Sequence, residues 1–269
     1  MQIDNNAYSS YKPAPPIGKL VILPRNVIPQ DFVPYDSKWK TLYLNKNGLG
    51  IRISNPKEYI KFLDKLSDKD FKQTFIESWP DNFTRKIQNV LKNNCSVYEL
   101  AMLSQSGYKI MIKDHLVDEN NKPLTGECNV ENKKINIART FNGEPIEAVR
   151  DIKFILNHEM GHLFNHYNNY YSQSPEFAKN LDFDMQELKT IPNNIPLLEN
   201  FMDLRGGKES MDSDWGKSEL FAHIYQSLKM KDDSEYSRIL DDFPRLSRHL
   251  ELYIEQTKQK FYTDSKIYN

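Results

Sequence analysis

Only two cysteines, Cys95 and Cys128, occur in the 269 residues, so a disulfide-built scaffold is excluded. The chain fits a reducing compartment or a protein that does not rely on bridges; two buried thiols and a single bridge between them both remain open. No apolar run approaches the roughly 20 residues of a membrane-spanning helix, so no integral membrane segment is expected. An excess of either charge is missing as well. With 36 basic against 37 acidic residues, a net charge of −1, a pI near 6.6 and no basic stripe, there is no electrostatic case for nucleic acid. The N-terminus lacks the basic-then-apolar build of a secretory signal peptide. A protein that leaves its cell would do so by another route, or after losing a signal ahead of this numbering. Repeats and low-complexity tracts are absent.

What is present can build a large core: 39% hydrophobic and 12% aromatic residues suit one big or two modest domains. Six of the 14 prolines (Pro13, Pro15, Pro16, Pro24, Pro29 and Pro34) crowd the start beside Tyr8, Ser9, Ser10 and Tyr11, which reads as an extended or disordered leader over 1–35. Such a polar leader is compatible with an effector-type export signal. Thr41 to Leu44 and Ile51 to Ile53 alternate around Asn45-Lys46-Asn47-Gly48 and predict a hairpin. From Pro56 to about Asn93 the apolar spacing is helical, with a break at Pro80, completing an N-terminal region over 36–104. Tyr108 to Lys113 and Lys134 to Ala138 read as strands around a polar loop at Asp118 to Pro123, and the rest of 105–269 reads as helices.

The chemistry is carried by His158-Glu159-Met160-Gly161-His162. On a helix, residues four apart project from one face, so both imidazoles reach one ion, while Glu159, about 100° round, can face a metal-bound water. The pattern arises by chance in roughly one chain in a hundred of this length, so its context matters. Pro145 stands where a first helical turn tolerates proline, and Val149, Ile152, Leu156, Met160 and Leu163 repeat at helical spacing, placing the motif in a long, half-buried helix. The bland alternative, two core histidines, would bury two imidazoles and a carboxylate without partners.

A catalytic zinc site needs three protein ligands and one open position. A third ligand close behind the motif would require Gly and His (or Asp) at 165 and 168, where the chain has Asn165 and Asn168. A glutamate from a later helix is the other solution, and Ser218-Glu219-Leu220-Phe221-Ala222-His223 offers one about 57 residues past His162. Here the chain resembles the zinc-peptidase domain of anthrax toxin lethal factor and its relatives, which include bacterial toxins and secreted proline-specific endopeptidases. The resemblance rests on H-E-x-G-H, on Glu219-Leu220-Phe221-Ala222, and on the proline-opened helix at Phe243-Pro244-Arg245-Leu246, and covers roughly residues 105 to 262.

It implies one zinc held by His158, His162 and Glu219, with Glu159 as general base. It departs from the family at His223, where a second glutamate is usual, and in lacking a tyrosine shortly before Glu219. His223 can be read as a group that orients a ligand or as a ligand itself. Tyr167, Tyr170, Tyr171, Tyr225 and Arg205 stay open as the missing oxyanion donor. His166 reads as a helix-surface or packing residue, and nothing around His115 or His249 suggests a site. The expected fold is α+β and mostly helical, a zincin-type metallopeptidase domain over 105–269 with a small sheet and an active-site helix, preceded by a smaller N-terminal region. The expected function is a zinc-dependent endopeptidase acting on proteins or peptides; the resemblance implies a secreted toxin or effector delivered into a host cell and cutting host proteins. A non-catalytic zinc-binding interaction module, or a cytoplasmic bacterial protein, is the alternative.

Overall fold

The computed structural model describes residues 21–23, 41–43, 50–52, 56–188, 190, 213–231 and 239–263. Three short strands come first: β1 (Val21–Leu23), β2 (Thr41–Tyr43) and β3 (Gly50–Arg52). β3 lies between the other two and is antiparallel to both, with Leu42 and Ile22 each opposite Ile51. The pairing of β2 with β3 is the hairpin that the alternation predicts. β1 falls inside the stretch read as a leader; the remainder of 1–35 lies outside the described residues.

Helices follow where caps and apolar spacing coincide: α1 (Pro56–Lys65), α2 (Asp68–Phe75), α3 (Asn82–Asn94) and α4 (Val97–Gln105). Pro56 occupies the first turn of α1, where its missing N–H costs nothing. The Asp70 amide donates to Ser67 Oγ at 3.2 Å and the Thr84 amide to Asp81 Oδ1 at 2.8 Å, while Ser96 and Glu99 form a reciprocal capping box at the start of α4. One correction falls here. Ile76 continues the helical spacing of Phe71 and Phe75, yet it opens a strand, β4 (Ile76–Glu77), because this buried β-branched residue pairs in parallel with Ile110. Tertiary pairing overrides local spacing.

The central sheet adds β5 (Lys109–Lys113), β8 (Gly126–Asn129) and β9 (Lys134–Ala138); β6 (Leu116–Val117) and β7 (Pro123–Leu124) form a small hairpin around the polar loop. Its order is β4-β5-β9-β8, parallel through the first three strands and antiparallel at β8. The strand expected before the motif helix, β9, is therefore interior. β8 is the edge.

Pro145 does not open the motif helix. It pairs with Thr140 in a hairpin of β10 (Thr140–Phe141) and β11 (Glu144–Pro145), and α5 runs over Val149–Tyr167. Ile152, Leu156, Met160 and Leu163 are buried as their spacing requires, but Val149, in the first turn, is 48% exposed. A short 3₁₀ turn at Tyr171–Gln173 leads to α6 (Pro175–Leu188); α7 (Asp214–Lys229) and α8 (Pro244–Thr263) complete the described elements. The chain is thus α+β and mostly helical, and one cluster of buried apolar side chains runs from Tyr59 on α1 to Ile254 on α8. No described helix is long and apolar enough to cross a membrane.

Candidate metal centre

Helical spacing puts His158 and His162 on one face of α5, and a close helix contact brings the rest. A Cβ built on Gly161 would lie 2.8 Å from Ala222 Cα and 3.1 Å from Ala222 O, so α5 and α7 touch almost backbone to backbone. Glu219 lies three residues before Ala222, on the same face of α7. Its carboxylate therefore arrives over the two imidazoles.

The three donors converge. His158 Nε2 and His162 Nε2 are 3.2 Å apart, His162 Nε2 is 3.2 Å from Glu219 Oε1, and His158 Nε2 is 3.5 Å from Glu219 Oε2. Bonds of about 2.0–2.1 Å from a tetrahedral zinc would set donor-to-donor edges of roughly 3.3–3.4 Å. The side chains are only 12%, 16% and 13% exposed, so the site is sheltered yet reachable. Burial would raise the Glu219 carboxyl, but hydrogen bonds and charge from His158 and His162 outweigh it and hold that carboxyl far below the ordinary carboxylate range. Two imidazoles and an ionised carboxylate so close together form a donor group that can hold a metal ion.

His223 belongs to the same neighbourhood. Its ring centroid is 4.4 Å from that of His158, and donor atoms of His158, Glu219 and His223 lie within 4.8 Å of one another. Two donor sets thus share His158 and Glu219. One is completed by His162, which meets Glu219 Oε1 while His158 meets Oε2, and the other by His223.

His162 is oriented from behind by groups that its motif does not reveal. Its Nδ1 lies 3.3 Å from Ser218 Oγ, and Asn165 Nδ2 donates to Ser218 Oγ at 3.2 Å and to Ser172 Oγ at 2.9 Å. The Ser172 amide returns a bond to Asn165 Oδ1 at 2.9 Å. With a metal bound at Nε2, the Nδ1–H would donate to Ser218 Oγ and fix the ring's orientation. In the sequence Asn165 signals only that another ligand class is absent; its three-residue offset from His162 was the available clue.

Glu159 is buried at 5% exposure and faces β8. Cys128, on β8, has its thiol pushed well up by burial and by the carboxylates of Glu159 and Glu127, and burial pushes Cys95 up to about 12. Both cysteines are free, and burial holds both thiols neutral. The other histidines and tyrosines sort by partner. His166 Nδ1 meets Tyr108 OH at 3.3 Å, and Tyr171 OH meets His249 Nε2 at 2.6 Å. Tyr225 OH donates to Glu99 and Tyr167 OH to Gln105, which takes three of the tyrosines considered for the oxyanion away from that role; Tyr170 packs edge-on against His166. Arg205 lies outside the described residues. Comparison with protein-family models, curated proteins and solved structures finds no match to the chain.

Proposed function

We propose that the chain is a zinc-dependent endopeptidase of the glutamate-ligand class, with His158, His162 and Glu219 as ligands and Glu159 as general base. The observation that carries this reading is the convergence of three donors from two helices on edges of 3.2 to 3.5 Å. Zinc, when bound, supplies a Lewis acid that polarises a carbonyl and acidifies water. Glu159, one residue round the helix from His158, accepts the proton of the attacking water and delivers it to the leaving amine.

The sheet supports a peptide substrate. Ala138 N–H donates to Thr125 O, so antiparallel alternation places the inward hydrogen-bonding pairs at Glu127 with Asn136 and Asn129 with Lys134. The backbone of Gly126 and Cys128 then faces outward from the sheet edge, beside α5, where an extended peptide can pair with it. The substrate is a protein or peptide, and a host protein cut by a secreted or delivered toxin or effector is the biological setting that the motif resemblance favours. A second reading, a zinc-binding interaction module without catalysis, draws on His223, which could complete four protein ligands and close the site.

Zinc stoichiometry measured beside turnover on a peptide library separates them. In the endopeptidase reading one zinc binds per chain, and Glu159→Gln retains it while hydrolysis falls by about 10²- to 10⁴-fold. Near-normal turnover in that variant removes Glu159 as base, and a zinc-loaded wild type that cuts nothing favours the module.

A further inference from the structure

We infer that Gly126 is a positioning residue for Glu159: the space left by its absent side chain is the seat of the carboxylate. This rests on the endopeptidase reading. A Cβ built on Gly126 would lie 2.6 Å from Glu159 Oε1, 3.0 Å from Glu159 Cγ and 2.8 Å from Ile155 Cγ2. All three distances are well inside van der Waals contact, which begins near 3.5 Å for carbon.

Neither wall of this seat yields easily. Ile155 and Glu159 are four residues apart on α5 and so present one face to β8, and that face is fixed because Ile152, Leu156, Met160 and Leu163 bury α5 in the core. β8 is held by four register pairs to β9, with Gly126 opposite Ile137. An added methyl must therefore rotate the Glu159 side chain or push the sheet edge outward. Both outcomes separate the base from whatever lies along β8.

The same residue thus serves two surfaces. Its backbone turns outward at the edge where a peptide would pair, and its missing Cβ admits the carboxylate from the side. Base and edge strand are brought to van der Waals distance at one position, so the peptide unit that pairs with Gly126 is the one presented to Glu159. The ligands make a different contact: His158 and His162 meet Glu219 on α7, and none supplies one of the three atoms nearest the Gly126 Cβ position.

The test is Gly126→Ala, alone and combined with Glu159→Gln, assayed for zinc affinity by chelator competition and for kcat and KM on a peptide that the wild type cuts. The expected result is zinc affinity within a few-fold of wild type, kcat lower by about 10²-fold with KM little changed, and no further loss when the alanine is added to the Gln variant. An unchanged circular-dichroism spectrum and one bound zinc per chain in Gly126→Ala distinguish a displaced base from a misfolded chain. A folded, zinc-loaded alanine variant with wild-type kcat overturns the inference alone. Loss of zinc in step with kcat overturns it too, because the effect then reaches the ligands. A wild type that loads zinc but cuts no peptide sinks the endopeptidase reading, and this inference with it.

Discussion

Glu219 and His223 stand one turn apart on α7, and both approach His158, so helical spacing alone cannot rank them as ligands. Charge does. Glu219 offers one oxygen to each imidazole, at 3.2 and 3.5 Å, and is ionised over the whole physiological range. Glu219→Ala should therefore abolish stoichiometric zinc binding and activity together. His223→Ala should weaken zinc by about 10- to 100-fold, the range found when a group that orients a ligand is removed. Zinc titrations of the two variants decide it, and a reversed pattern moves the third ligand to His223. The placement of His158, Glu159 and His162 on one helix was legible in the sequence because their relation is local, fixed by 3.6 residues per turn. The roles of Ser218 behind His162 and Gly126 against Glu159 were not, since both depend on elements distant in sequence coming together.

At the level of elements, the centre depends on how closely α5 meets α7. The glycine of the motif is explained by that contact: with Ala222 Cα 2.8 Å from where its Cβ would be, no larger residue fits without parting the helices. Backbone cannot swing aside as a side-chain tip can. Gly161→Ala should destabilise the fold by about 1–3 kcal/mol as overpacking and, by withdrawing α7, lengthen the Glu219 edges and lower zinc affinity at least tenfold. Wild-type zinc affinity with an unchanged melting temperature would show that the helices have slack. Most helices were readable from apolar spacing, but α4 lies beyond Asn93, where the helical reading stopped, and α5 starts after Ala148 without a side-chain cap. β4 was not, because Phe71, Phe75 and Ile76 continue one helical stripe in sequence while Ile76 answers to Ile110, across the sheet. The start of α5 was misplaced for a related reason. Pro145 suits a first helical turn, but its pairing with Thr140 and the bond from the Ile146 amide to Arg139 O keep it in β11.

Across the whole molecule, the end of α7 is anchored on helices of the N-terminal half. Lys229 Nζ donates to both oxygens of Glu99, at 2.9 and 2.8 Å, and to the Asn94 carbonyl at 2.7 Å, while Tyr225 OH donates to Glu99. The helix that carries Glu219 is thereby fixed to α3 and α4, and the buried cluster continues across residue 104 without interruption. Burial would raise the Glu99 carboxyl, but the charges of Lys229 and Lys258 and the hydrogen bonds from Lys229 and Tyr225 outweigh it and hold the carboxyl below its ordinary 4.5. A folded-state value below the unfolded one means that the clamp contributes fully above about pH 4.5 and is lost as acid protonates Glu99. Lys229→Met removes the largest of these opposing charges, so the Glu99 carboxyl rises and less of its stabilising contribution remains at neutral pH. Leaving this carboxylate without its cation should cost about 3–5 kcal/mol at neutral pH, roughly 6 to 20 °C in melting temperature for a chain of this size. Melting temperatures of both metal-free proteins from pH 7 to pH 3 provide the check, because the metal ligands titrate identically in each and cancel in the difference. The gap between wild type and variant should be widest at pH 7 and close steadily toward pH 3. A gap that stays constant with pH would mean that Lys229 acts through packing of its aliphatic stem, and that Glu99 is not the group it serves.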